Sequence, residues 1–404
     1  GKTGTEDPRI GGGVVPEVSK RIGALEESGT VAISDRARQM QQEGIDVINL
    51  GGGDPDFVTP HHIVDAAFRA ISEGQTHYVA SKGVPGMRRA VAAKFRDENG
   101  IVYDPDREIL VTASGKAALF MAIEAMLDPG DEMIVLEPAW VSYKPLISLV
   151  GATPVGVGLA PADSFRITRE VLEKKVSRRT KAILVNSPNN PTGRVLSAEE
   201  AEVVRSFAVD RNLWVLSDEI YEKIRYDGRR HISLASLPGM RDRTATVNGM
   251  SKSHAMTGWR LGYLGAPADL YAQILKVQQH VLTCAASFVQ FAGTAALEGP
   301  QDCIAGMVAE YDSRRRRIAG MLNRIPGFRC PEPEGAFYFF PEVEFRGMDS
   351  YGVATFLLEE AHVAVTPGEV FGASARKNIR LSFATSMENL ENAAGRIADA
   401  IASA

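Results

Sequence analysis

Residues 248–260 read NGMSKSHAMTGWR. A single lysine, Lys252, stands there among small and apolar residues, just beyond the β-branched run RTATV and eight residues before Arg260. An amine deprotonated by burial or by neighbouring cations can form an imine with a carbonyl compound. A guanidinium presents a rigid fork that suits a phosphate or a carboxylate. Upstream, LSDEIY (216–221) runs an apolar strand straight into Asp218, with Tyr221 three residues on. A carboxylate at a buried strand end is costly unless a cation pairs with it, and a protonated ring nitrogen is such a cation. VTASGK ends in Ser114, Gly115 and Lys116 at the start of a helical pattern. Free backbone N–H groups and the helix dipole favour an anion at such a point. VNSPNNPTG gathers Asn186, Asn189 and Asn190 at another strand end, pinned by prolines, where a cis Asn190–Pro191 bond is an option.

Each cluster alone has a plain structural reading as a turn, a cap or a surface charge. Together, a lysine for an imine, an aspartate for a pyridinium, and an arginine with a helix N-terminus for a phosphate describe a pyridoxal phosphate site.

The elements that must position these residues follow from periodicity. Residues 108–114, 132–138, 181–188, 213–221, 244–250 and 260–267 read as strands, and 61–75, 86–98, 115–127 and 197–211 as helices. Ser197 and Glu200 form a capping box at the last of these. Near-continuous apolar strands separated by helices predict a mainly parallel sheet covered on both faces, with ligands beyond the strands' carboxyl ends. From about residue 300 helices dominate, with strands in AFYFFPEV and NIRLSFAT, which reads as a smaller α+β domain that the segment up to about residue 50 joins.

The bulk composition narrows the function. The chain has 404 residues, 45% apolar and 24% charged, with a net charge of −5, so it offers no electrostatic footprint for nucleic acid or anionic membrane. The basic run at 314–317 is expected to be a solvated helix face. Cys284, Cys303 and Cys330 lie far apart, which excludes a disulfide framework and a cysteine-rich zinc site and suits a reducing cytoplasm. No run of 18 apolar residues exists to span a membrane. The start, GKTGTEDPRIGGGVVPE, has no signal-peptide core and reads as a mobile terminus. Its GKT lacks the strand and glycine of a phosphate loop. His61 and His62 are adjacent and point apart on any regular element, so no metal is expected. NPT at 190–192 carries proline in its middle position and is no glycosylation acceptor.

GGGDPDF (51–57), NSPNNPTG (186–193), SDEIY (217–221), SKSHAMTGWRLGY (251–263) and IRLSFAT (379–385) together resemble, in order and spacing, the class I/II aminotransferases, fold type I of the pyridoxal-phosphate enzymes. The chain is most similar to their bacterial aspartate-aminotransferase-like branch, from about Ser19 onward. The resemblance implies an α/β fold. Residues 53–297 would form a large cofactor-binding domain around a mainly parallel seven-stranded sheet between helices. Residues 19–52 and 298–404 would form a small α+β domain, with 1–18 a mobile segment.

Carried over by the same resemblance, Lys252 would bind the cofactor and shuttle a proton between the substrate Cα and the cofactor's C4′ carbon. Asp218 would keep the pyridine nitrogen protonated. Tyr221 and Asn190 would hydrogen-bond the ring's phenolic oxygen, and Trp140, in EPAW, would stack on the ring. Ser114, Gly115 and Lys116 would cradle the phosphate through backbone groups, joined by Arg260, and Ser251 would touch it. Tyr78, in THYVASKG, would reach the phosphate of a neighbouring subunit, which implies a homodimer with shared sites. Arg380 would clamp the substrate α-carboxylate, helped by Gly53 and Asn190. His254 would be structural.

The expected activity is transfer of an amino group from an L-amino acid to a 2-oxo acid, in the cytoplasm. Elimination, replacement or cyclisation on the same residues is the alternative, because a fold does not fix the fate of the substrate. A cofactor-binding regulator is a third reading. It would carry a DNA-binding domain in front, and the polar residues ahead of Ser19 do not read as one. On substrate, two residues pull apart. Lys116 resembles a lysine that acidic-substrate members place near the distal carboxylate. Glu26 stands where such members often carry a basic residue, and an acid there would repel a dicarboxylate.

Overall fold

The computed structural model describes residues 17–25 and 31–404. Its central sheet is built from β2 (Ile109–Thr112), β3 (Glu132–Glu137), β4 (Thr153–Gly158), β5 (Thr180–Asn186), β6 (Trp214–Asp218), β7 (Thr244–Gly249) and β8 (Gly262–Gly265). The short β1 (Ile48–Asn49) precedes them in the chain and lies elsewhere. The spatial order is β2-β8-β7-β6-β5-β3-β4. Strands β4, β3, β5, β6 and β7 run parallel, and β8 runs antiparallel to both β7 and β2.

Every residue of β2, β3, β7 and β8 is buried, as expected of a sheet with helices on both faces. The seventh strand, β4, was not among the strands read from sequence. Its TPVGVG is half-exposed at the sheet edge and mixes proline and glycine with valine, so it presents no continuous apolar run. The helix Ala198–Asp210 opens on the expected capping box: Ser197 Oγ accepts from Glu200 N–H at 3.2 Å and Glu200 Oε2 accepts from Ser197 N–H at 3.1 Å.

Consecutive strands β7 and β8 are hydrogen-bonded neighbours, with Asn248 opposite Tyr263 and Gly249 opposite Gly262. Residues 250–261 therefore form a loop closed at its base by the sheet. On its other side β8 lies against β2, Gly262 facing Thr112. A Cβ at 262 would stand 2.4 Å from Gly115 N and 2.5 Å from the Ser114 carbonyl carbon. Glycine here is what lets the end of β2 and the following helix, Gly115–Met126, come this close.

The C-terminal part contains β9 (Phe328–Arg329), β10 (Tyr338–Phe339), β11 (Glu342–Val343), β12 (Val363–Ala364), β13 (Thr366–Pro367) and β14 (Ile379–Ser382), with helices Asp302–Leu322, Ser350–Ala361 and Met387–Ser403. β10, β14 and β13 form one antiparallel sheet. β1 pairs parallel with β12, which ties residues 48–49 to this part of the chain.

The basic run at 314–317 is corrected. Arg314 and Arg315 are 5% and 1% exposed; only Arg316 and Arg317 face solvent. Arg314 meets Asp56 and Glu310, each at 2.9 Å, and Arg315 meets Asp312 and Asp227, each at 2.6 Å. Successive helical residues turn by a fixed angle, so four in a row cannot share one face. The partners Asp56 and Asp227 come from far away in sequence, beyond the reach of a local reading.

Among the described residues no helix is long and apolar enough to cross a membrane.

Candidate active site

The strand ends converge on one cavity of about 350 Å³, within the usual size range of small-molecule sites. It takes in Gly53, Ser114, Gly115, Lys116, Trp140, Asn190, Asp218, Tyr221, Ser251, Lys252, Arg260 and Arg380. Tyr78 lies outside it, 87% exposed. Glu26 falls outside the described residues.

Asp218 is the last residue of β6 and is 4% exposed. Its Oδ2 accepts from the Tyr143 hydroxyl at 2.6 Å and its Oδ1 from Ile220 N–H at 3.2 Å. Burial nevertheless pushes the carboxyl up to about 6, against the pull of these donors. A carboxyl so placed takes its charge fully only when a cation faces it. The turn after it is clamped from behind. Glu219 accepts from Ser217 and Ser233 hydroxyls, at 2.8 and 2.6 Å, and lies 2.8 Å from His231 Nε2. Glu222 is held by Lys94 and, at 2.7 Å, by Asn99 Nδ2. Both glutamates are buried, so residues 218–222, which carry Asp218 and Tyr221, are fixed by ionic and hydrogen bonds rather than by packing alone.

Lys252 sits in the closed loop beyond β7. Its Nζ donates to the Gly53 carbonyl. Burial lowers the amine to about 8; Asp54 opposes that shift, and the Arg380 and Arg260 guanidiniums add to it. A sizeable share of the amine is thus uncharged under mildly alkaline conditions, as a nucleophilic or basic lysine requires. His254, two residues on, is 2% exposed with Nδ1 2.8 Å from Ser253 Oγ. Burial depresses it to about 4, so it is a neutral packing residue.

Ser114 caps the Gly115–Met126 helix, its Oγ accepting from Ala117 N–H at 3.2 Å, with a φ of 113°. A left-handed backbone at a non-glycine residue costs energy and clusters at ligand sites. Arg260, also left-handed at φ 53°, donates to the Thr257 carbonyl at 2.7 Å. Lys116 Nζ lies 4.8 Å from the centre of the Trp140 ring, and partial desolvation and Arg260 lower its pKa.

Arg380 is 7% exposed on β14. Nη1 donates to Asn190 Oδ1 at 2.9 Å and Nη2 to the Gly51 carbonyl at 2.6 Å, while Nε is buried without a partner. Asn190 is positioned in turn by Asn186 Oδ1, which accepts from its N–H at 2.9 Å. The Asn190–Pro191 bond is cis.

Sequence reasoning missed Tyr143 and Tyr338. Tyr143 lies three residues after Trp140, and the two rings meet edge to face at 5.4 Å; that spacing was the only local signal. Tyr338 has none. β10 lies beside β14 and brings it against Arg380, whose Cζ stands 4.5 Å from the ring centre.

These residues fit pyridoxal phosphate. A buried carboxyl whose pKa is raised to about 6 lines the cavity, as a pyridinium partner would. An amine near pKa 8, a strained serine cap beside Arg260, and a guanidinium with a buried unpartnered N–H are the groups that would suit the cofactor's carbonyl, its phosphate and a substrate carboxylate.

The family profile of aminotransferase class I and II matches residues 45–397. The aspartate aminotransferase of Musicola paradisiaca (strain Ech703) is 46% identical over 383 residues, 95% of each chain. The structure of Thermus thermophilus aspartate aminotransferase with maleate superposes with a TM-score of 0.90 at 39% identity, over 96% of this chain and 100% of that one. The aromatic aminotransferase of Pyrococcus horikoshii OT3 superposes with a TM-score of 0.87 at 41% identity, over 92% and 99%.

Proposed function

The chain belongs to the class I and II aminotransferases, a pyridoxal-phosphate-dependent family, and from that premise we propose that its preferred amino donor is acidic, aspartate foremost. The carrying observation is Lys116, an amine on the cavity wall beside Trp140. The aspartate relatives, one of them with the dicarboxylate maleate, support this reading. The aromatic relative supplies the second reading, in which the Trp140 wall takes an aromatic side chain. None of these relatives is named for elimination, replacement or cyclisation.

When bound, the cofactor supplies an electron sink that lets a bond at the substrate Cα break. Asp218 would face the ring nitrogen and favour a positive charge there. Tyr221 and Asn190 would hold the phenolic oxygen, and Trp140 would lie against the ring. The backbone N–H groups of Ser114, Gly115 and Lys116 would hold the phosphate, with Ser251 and Arg260, which leaves the Lys116 amine free to face substrate. Arg380 grips the α-carboxylate, with Asn190 and the Gly53 backbone alongside, and so leaves the Cα–H within reach of Lys252. Lys252 Nζ would take that proton from Cα and deliver it to the cofactor's C4′ carbon, acting as base and then as acid.

The test is a single-turnover series with a panel of amino acids and no oxo acid, followed by absorbance. Aspartate and glutamate should convert the cofactor to its amine form faster than phenylalanine. Lys116→Gln should then weaken aspartate binding about 10- to 100-fold, the worth of a hydrogen bond to a charged group, and leave phenylalanine nearly unchanged. Equal handling of aspartate and phenylalanine by the unaltered protein would favour the aromatic reading. Regeneration of the starting spectrum with no amine form would sink transamination.

We further infer a homodimer. Val58, Phe68, Ile71 and Tyr78 lie within one short segment and are 84%, 66%, 43% and 87% exposed, an unusual display of large apolar side chains. Tyr78 acting in the partner's site predicts that Tyr78→Phe mixed with Lys252→Ala regains activity through hybrid dimers. No recovery after demonstrated subunit exchange would count against shared sites. The cysteines, free among the described residues, suit a reducing cytoplasm; recovery of the activity in a non-cytoplasmic fraction would overturn that location.

A further inference from the structure

Tyr221 and Tyr338 meet hydroxyl to hydroxyl, Oη to Oη 2.7 Å, in the buried wall of the cavity. A phenolic hydroxyl has one proton to give. One proton lies between the two oxygens, and the other is left to point elsewhere. If Tyr221 gives its proton to the cofactor's phenolic oxygen, it has none for Tyr338, and Tyr338 must be the donor across the 2.7 Å contact. We propose that Tyr338 is a positioning residue for the reaction: its hydroxyl donates to Tyr221 and makes Tyr221 the stronger donor toward the cofactor. This rests on the cofactor reading given above.

Three observations carry it. Both rings are nearly fully buried, at 4% and 1% exposed, and burial raises both phenols above their ordinary pKa, so each remains a neutral donor. Hydrogen bonds in such a chain polarise one another, and more so away from water. The Tyr338 ring is also held in place. It packs edge to face on Tyr221, centroids 5.9 Å apart, and lies under the Arg380 guanidinium. Finally, room for the hydroxyl is built into the chain: a Cβ on residue 53 would stand 2.6 Å from Tyr338 Oη, and residue 53 is glycine.

The consequence is electronic. Negative charge on the phenolic oxygen stabilises a proton on the nitrogen that joins Lys252 to the cofactor. A stronger donor to that oxygen draws the charge away and lowers the nitrogen's pKa. Removing the Tyr338 hydroxyl should therefore raise it.

The experiment is a pH titration of the absorbance of holoenzyme. Tyr338→Phe keeps the ring and its packing and should raise the apparent pKa by about 10–30% of the rise seen in Tyr221→Phe, the scale of cooperative strengthening by one neighbouring bond. Tyr221→Phe should raise it further. The double variant should titrate like Tyr221→Phe alone, because the effect passes through Tyr221. No shift in Tyr338→Phe, or an equal added shift when Tyr221 is already Phe, would overturn the inference. A wild-type protein that takes up no cofactor on Lys252 would overturn the cofactor reading, and the inference with it, before any variant is compared.

Discussion

Lys252→Ala should abolish turnover, by about four orders of magnitude or more, since in the roles proposed above one substitution removes both the covalent anchor and the base. Cofactor should still bind, held by its phosphate and ring contacts, and denaturing gel filtration should release it. In the unaltered protein, borohydride should fix it to the peptide carrying Lys252; label on any other lysine would sink the assignment. The pH dependence follows from the amine itself. Burial lowers its pKa to about 8, and the reactive form is the uncharged one. The rate at which cofactor-free protein takes up pyridoxal phosphate should therefore rise with pH, pass its half-height near pH 8, and level off above. A rise that continued toward pH 10 would mean that the amine is not desolvated as the cavity suggests.

Asp218→Asn is expected to be nearly as damaging by a different route. Breaking a buried ion pair by neutralising one member costs about 3–5 kcal/mol. If that cost falls on the transition state it amounts to about two to four orders of magnitude in rate. The cofactor should remain on Lys252, since no contact to the phosphate changes. Tyr143→Phe should act in the same direction and more weakly, because Asp218 Oδ2 would lose the 2.6 Å donor that orients it. Near-normal turnover by Asp218→Asn would show that the reaction does not need a charged partner at the ring nitrogen.

What was legible in the sequence follows a physical pattern. Asp218 and Lys252 stood out because each is a charged residue at or just beyond the end of an apolar strand, where burial without a partner is costly; Arg380 was named only through the family resemblance of IRLSFAT. The central strands were legible as continuous apolar runs. The edge strand β4 was not, because half-exposed glycines and a proline carry no such run. Tyr338 and Arg315 were not, because what gives each its place, β14 for one and Asp227 for the other, comes from remote parts of the chain. Tyr143 was half-legible, through its spacing from Trp140. The cis bond at Asn190–Pro191 could be raised from sequence only as an option.

The reversal of β8 bears on which ligands the site can accept. Lys252 and Arg260 belong to one loop whose ends, Gly249 and Gly262, are paired in the sheet. Closing a chain on itself removes much of its freedom. The distance between the amine and the guanidinium is therefore set within a single stapled ring, not by the packing of remote parts of the chain. That ring works as a ruler. Arg380 stands apart on β14, outside this ring, so the span between Lys252 and Arg260 does not depend on where β14 lies. A homologue of the cofactor lengthened by one methylene between ring and phosphate should therefore be refused at the ruler, however well the rest of the cavity receives it.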